Sequence, residues 1–339
     1  MNAPREQAGQ MDGLGRVLCA LADPQDPGPT EDACLALPAE PLFEAILHHG
    51  IEPIALRKLV ETLPQEPPYT SLIDAVRERQ LLANAHSLVL EAQALQLLAA
   101  IDAQRLQAVI VKGQVFAKAL YDRASDRPFT DVDVLAHPDS VPAIGAILEN
   151  ADFLLYRKKL FDKSASNMEQ KWVQKDNQNI LIELHGNLVH YASLRWRVPF
   201  GYAQYRTASG DGEFPNVAYF MTAVIHAAAG HKFHRLQLIV DVMQAARKLT
   251  EADIDYLRSS LDALRARLEV LVCLDLVSAL FADEAAIHIR DSLSSGRGYR
   301  YGRSLVTPAA VIDTWNDTGH RSRMRRHAFR WLQRVVPRS

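Results

Sequence analysis

The stretch AVIVKGQVFAKALYDRASDRPFTDVDVLAH, Ala108 to His137, decides the fold. It opens with the β-branched run Val109, Ile110 and Val111, turns at Lys112 and Gly113, and continues into a helical segment, QVFAKALY. Polar residues from Asp122 to Ser125, then Arg127 and Pro128, lead to a second apolar strand that carries Asp131 and Asp133. Strand side chains alternate faces, so the two aspartates are expected on the same side. Two carboxylates crowded on one face repel, and a divalent cation is the usual remedy. A solvated edge strand shows the same D-x-D pattern, but here Val132 and Val134 are apolar and hydrophobic runs lie on either side. A pair of charges on an inner strand needs a reason.

Working outward, the periodicity predicts a first strand at 108–111, a short helix at 114–120, a second strand at 130–135 and a helix at 140–150 capped by Ser140. After Phe153, the segments YRKKLF and KWVQK alternate in character, DNQN reads as a hairpin turn, and NILIELHG closes the set. In NILIELHG, Glu183 shares a face with Leu181 and His185, while Ile182 and Leu184 take the other. Two strand–helix units followed by three consecutive strands predict an α+β fold, a mixed sheet flanked by helices, rather than a doubly wound parallel one. Upstream, 71–104 reads as one long helix without internal breakers, a scaffold for the sheet. Before it, Leu14 to Ala22 reads as a helix and Thr30 as a helix start. HHGIEP interrupts a helical pattern between Pro41 and Thr62, placing His48 and His49 at a helix end, facing solvent or the helix carbonyls.

These residues resemble a known family. Gly113 after a strand, a short helix, D-x-D on the next strand and a third acid on a later strand form the signature of the nucleotidyltransferase fold shared with DNA polymerase β. The finer pattern of VKG, a helix ending in Tyr121, RPFTDVDVLAHP, and Glu183 within NILIELHGNL is similar to the uncharacterised nucleotidyltransferase family. The resemblance extends weakly to LFEAILHHGIEPIALRKL and HAAAGHKFHRLQLIVDV, covering about two thirds of the chain. It implies that Asp131, Asp133 and Glu183 are catalytic and hold Mg2+ or Mn2+, in a two-metal in-line displacement on a nucleoside triphosphate. Lys112, Gly113, Gln114 and Arg127 are then the nucleotide-binding set. Gly113 lets the backbone approach the phosphates. Lys112 neutralises phosphate or is a strand-end lysine, and Arg127 neutralises phosphate or orients an aspartate. ATP is the expected donor; the acceptor is a peptide, sugar or protein, as in natural-product maturation. Where the superfamily prefers Ser or Gly, this chain has Gln114, which favours an alternative: a non-catalytic nucleotide-binding or regulatory protein on the same fold.

From Pro215 to about Ala282 the pattern is helical. His226, His231 and His234 invite a zinc reading, but no closing Cys or His-Glu signature follows. Similarity to the family points instead to a nucleotide-facing helix, with His231 or Arg235 near phosphate or base. Asp241, inside LIVDV, is either a functional acid or, as expected here, a buried hydrogen-bonding partner to a His or Arg.

Length and a 48% hydrophobic composition suffice for a buried core in two domains. The pattern divides into an N-terminal helical region (1–104), a catalytic core (105–200) and a C-terminal helical domain (201–339). A net charge of −2 argues against a dedicated nucleic-acid binder. The ends are oppositely charged, however: residues 1–66 hold 11 acids against 4 Lys and Arg, and residues 290–339 hold 11 Arg against 3 Asp. The final RSRMRRHAFRWLQRVV is expected to dock Phe329, Trp331 and Leu332 on the domain; RNA or an acidic membrane surface is the competing partner. Cys19, Cys34 and Cys273 have no paired or metal-ligand spacing and fit buried positions in a reducing cytosol. No stretch approaches a membrane span and no signal core opens the chain, so a cytoplasmic protein is expected.

Overall fold

The computed structural model describes residues 11–64, 66–156, 169–294, 298–313 and 320–338, with 320 and 321 described by backbone alone. Among the described residues the first helices are α1 (Gly13–Ala22), α2 (Glu31–Leu35), α3 (Ala39–His49) and α4 (Glu52–Thr62). The helix α5 (Tyr69–Ala103) leads into β1 (Ala108–Val111), α6 (Gly113–Ala119), β2 (Val132–Ala136), α7 (Val141–Asn150), β3 (Phe153–Leu155), β4 (Glu169–Gln174) and β5 (Leu181–His185). Then come α8 (Ala192–Arg195), α9 (Tyr202–Ala208) and α10 (Pro215–Ile225), which runs into a π-helical turn at His226–Gly230. The rest is α11 (Leu236–Arg247), α12 (Glu251–Leu264), α13 (Arg267–Phe281), α14 (Glu284–Ser292), α15 (Tyr299–Leu305), α16 (Pro308–Ile312) and α17 (His320–Val335).

The chain forms two compact units. One comprises Met1–Leu81, His231–Lys248 and Arg267–Pro337; the other comprises Leu82–Gly230, Leu249–Ala266 and the last two residues. The second unit is built on the sheet, ordered β1-β2-β5-β4-β3. Strand β2 pairs antiparallel with β1 and parallel with β5, while β4 pairs antiparallel with both β5 and β3. The sheet is therefore mixed, as the strand count implied. Its apolar face carries Val132, Val134, Ala136, Ile182, Leu184 and Trp172, which pack with Leu90, Ala94, Leu97 and Ile101 of α5 and with Ile144 and Leu148 of α7. Those four α5 residues follow a 4-3-4 spacing, one stripe of a helix, so a single helical face covers the sheet. The charged residues of β2, β4 and β5 lie on the opposite face.

The other unit packs helices on helices. Arg247 of α11 grips both carboxylate oxygens of Asp23 at 2.7 Å and donates from Nε to Asp283 at 2.7 Å, tying the ends of α1, α11 and α14 together. All three cysteines are buried and free.

Several expectations need correction. Strand β2 begins at Val132 rather than Thr130, so Asp131 stands just before it. Ser140 does not cap α7; its Oγ accepts from the Gln107 N–H at 3.0 Å. His49 faces neither solvent nor the carbonyls of its own helix. It is buried, with Nε2 3.1 Å from the Ile312 carbonyl oxygen and Nδ1 accepting from the Leu236 N–H at 3.2 Å. Of YRKKLF, only Tyr156 lies within the described residues, beyond the end of β3.

Candidate functional site

The polar face of the sheet is built by register. Asp133 of β2 stands beside Glu183 of β5, and Glu183 beside Lys171 of β4, a row running across three strands. One pleat along, Leu135, His185 and Glu169 form the next row on the same face. Parallel pairing of β2 with β5 thus makes neighbours of two carboxylates that lie far apart in the chain.

Both acids are buried, and so is His185. His185 Nε2 lies 2.8 Å from Asp133 Oδ1 and 3.5 Å from Glu183 Oε2, bridging the two. Lys112 Nζ donates to Asp133 Oδ1 at 2.7 Å, and Lys171 donates to Glu183. The network continues outward, with Lys171 Nζ 3.3 Å from Glu169 Oε1 and His190 Nδ1 2.9 Å from Glu169 Oε2.

These contacts set the charges. Burial opposes ionisation of Asp133, but Lys112 and His185 overcome it and hold the carboxyl well below its ordinary range. His185 is the reciprocal case: burial disfavours its charge, yet Asp133 and Glu183 push it up to about 9, so the imidazolium is the resting form. Glu183 is likewise held low, against burial, by His185 and Lys171. Glu169 is drawn down to about 2, chiefly by its bond from His190. Asp131 differs. Burial and the neighbouring Asp133 raise it to about 6, with Lys112 pulling the other way and Glu183 adding repulsion.

The loop after β1 is strained where it meets the site. Lys112, a residue with a Cβ, adopts φ 57°, ψ −146°, a sparsely populated region, and Gly113 follows at φ 37°. A Cβ at Gly113 would meet the Asp131 carbonyl oxygen at 3.5 Å, an ordinary contact. The left-handed φ, more than space, therefore favours glycine. Next along, Gln114 is buried and its Oε1 finds no hydrogen-bonding partner among the described residues. Arg127 is buried as well, donates to the Pro128 carbonyl oxygen at 3.1 Å and acts electrostatically on Asp131.

Of the residues singled out by sequence, Asp131, Asp133, Glu183, Lys112 and Arg127 thus form one electrostatic neighbourhood, with Gly113 and Gln114 at its turn. His231 and Arg235 fall in the other compact unit. There the His231 and His234 rings lie 5.1 Å apart, and Arg235 precedes α11. The tightest group of potential ligand atoms among the described residues is Asp133, Glu183 and His185, all within 4.8 Å of one another; His226, His231 and His234 form no such group. Sequence reasoning gave no role to His185, Lys171, Glu169 or His190. The alternation that placed His185 on Glu183's face was the one available signal; the others depend on strand order.

The two carboxylates offer hard oxygen donors, which suit magnesium or manganese better than a thiophilic metal, and His185 in its protonated form holds them rather than ligates. A family model described as an uncharacterised nucleotidyltransferase matches residues 37–282. No curated protein and no solved structure matches the chain.

Proposed function

Because the chain belongs to the uncharacterised nucleotidyltransferase family, we infer that this face of the sheet transfers a nucleoside monophosphate from a nucleoside triphosphate to an acceptor. The expected donor is ATP; the acceptor group is a hydroxyl or phosphate of a peptide, sugar or protein, as natural-product maturation would require. The observation that carries the reading is the register of Asp133 beside Glu183 on parallel neighbouring strands. Two ionised carboxylates side by side are a donor pair for a divalent cation, which would take over part of the charge that Lys112, His185 and Lys171 balance.

Asp133 and Glu183, with Asp131 beside them, are the residues that would hold Mg2+ or Mn2+. Bound there, the ion would neutralise charge on the triphosphate and on the oxygens of the displacement. The remaining work belongs to the chain's own groups. Lys112 and Arg127 offer cationic charge toward the donor phosphates, and the turn at Gly113 lets the backbone come close to them. His185 holds both carboxylates in one orientation through its shared N–H. Glu183 is in place to receive the proton of an acceptor hydroxyl, and Lys171 steadies it.

A specific observation favours a second reading. Lysines already neutralise both carboxylates, and Gln114 fills the turn with a buried side chain. A non-catalytic nucleotide-binding or regulatory protein could carry these features.

Thermal shift tests both. Wild type and Asp133→Asn are screened against ATP, GTP, CTP and UTP with magnesium, manganese or neither. A ligand that binds only the folded chain must raise its Tm. The transferase reading expects a metal-dependent rise with one nucleotide, absent in the variant, together with pyrophosphate release once an acceptor is supplied. A rise without metal, or nucleotide binding without release for any acceptor class, favours the second reading.

A further inference from the structure

Helix α17 has two apolar faces, and among the described residues only one of them is buried. Phe329 and Leu332 are buried, with Phe329 fully so, as is Val336 just past the helix end. Met324, Trp331 and Val335 stand 70%, 62% and 44% exposed. Steps of seven and four residues set these three along one line, nearly opposite Phe329 and Gln333. Sequence reasoning expected Trp331 to dock beside Phe329 and Leu332; the structure docks those two and leaves the indole in water.

The exposed ridge is flanked by cations. Arg323, Arg325, His327 and Arg334 lie on its two sides, and the segment from Ser322 to Val335 contains no acid. A second element adds to the field. Lys232 and Phe233 are consecutive non-glycine residues at φ 55° and 58°, an unusual pair of left-handed conformations. The Phe233 ring packs edge-on against Phe329, centroids 5.4 Å apart, which fixes this bend to the buried face of α17. Lys232 is thereby held close enough to lower the basicity of His327, the largest of several like-charge effects there, ahead of burial, Arg326, Arg323 and Arg330.

We propose that this surface docks the protein peripherally on an anionic lipid bilayer, with Met324, Trp331 and Val335 entering the headgroup–acyl boundary and the flanking arginines and Lys232 meeting lipid phosphates. Charge complementarity selects an anionic partner, and the ridge selects lipid among anionic partners. Amphipathic helices of this composition lie in the interface, where tryptophan places its ring at headgroup depth. A nucleic acid would reward the cations and could stack on Trp331, but it offers nothing to Met324 and Val335.

The test is co-sedimentation of the full chain with phosphatidylcholine vesicles and with mixed phosphatidylcholine–phosphatidylglycerol vesicles. Binding is expected to the mixed vesicles alone and to weaken with salt. Met324→Ser with Trp331→Ser, both at exposed positions that the core does not use, should lower partitioning about tenfold or more. Arg323→Gln should lower it about fivefold. No binding to mixed vesicles overturns the proposal. So does binding that survives loss of the ridge, or a single-stranded RNA that binds wild type and the ridge variant equally; either result assigns the surface to polyanions in general. An unchanged Tm shift with nucleotide in the ridge variant keeps this test separate from the transferase reading.

Discussion

His185 Nε2 reaches Asp133 Oδ1 at 2.8 Å and Glu183 Oε2 at 3.5 Å, so one buried imidazolium holds the two carboxylates in common. His185→Ala leaves both acids without that donor. The expected cost is about 1–3 kcal/mol in chemical denaturation, the usual penalty for stranding a buried hydrogen-bonding group. Transfer should fall by at least about tenfold through loss of carboxylate orientation. Full activity at full stability would show that the shared bond does neither.

The Lys112–Asp133 pair makes a second prediction. Both side chains are buried and 2.7 Å apart. Removing one partner alone, as in Lys112→Met, should destabilise by about 3–5 kcal/mol because the other charge is left uncompensated. Lys112→Met with Asp133→Leu should cost less than the sum of the single changes, a coupling read by a double-mutant cycle of denaturation midpoints. Additive costs would mean that the pair is not an ion pair in solution.

Gly113 tests the turn. Its φ of 37° disfavours any residue with a Cβ, so Gly113→Val should destabilise by about 1 kcal/mol or more. It should also reduce the nucleotide-dependent Tm shift beyond what the stability loss explains, by holding phosphates off the backbone. A shift of wild-type size would remove the phosphate-approach role.

His49 predicts a pH dependence far from the carboxylates in sequence. Burial, then the neighbouring His48, lowers it to about 3, while an unfolded histidine titrates at its ordinary 6.5. The folded chain therefore keeps the ring neutral where the unfolded chain takes up a proton. Its contribution is complete above pH 6.5 and is lost as pH falls from there toward 3. At 1.36 kcal/mol per pKa unit, the whole loss is on the order of 4–5 kcal/mol. Tm measured across that window should fall in wild type and fall less steeply in His49→Gln.

How much of this was legible in the sequence follows from range. The β1–turn–α6 segment and the face shared by Glu183 and His185 are local patterns, and the structure repeats them within one residue; of the D-x-D pair, β2 takes in Asp133 alone. Long α5 was equally plain, since its spacing is set by one helix. What could not be read is which strands become neighbours: Lys171 beside Glu183 and Glu169 beside His185 are products of strand order. The same limit explains His49, whose partners Leu236 and Ile312 lie 187 and 263 residues away. Trp331 failed for another reason, because α17 is apolar on two sides and periodicity does not say which side meets the core.

The parallel pairing of β2 with β5 also carries a consequence for biosynthesis. Strand β1 can zip onto β2 as soon as both have left the ribosome, placing Val111 against Asp133. The opposite edge of β2 must wait for β5, whose Glu183 is encoded 50 residues later. At ribosomal speeds that interval is on the order of seconds, long against the formation of a hairpin. During it, the nascent chain presents an unpaired edge flanked by valines, bearing the aspartate that the finished protein buries. Asp133 then discourages edge-to-edge association, because an inward-pointing charge makes a strand edge a poor template for another chain.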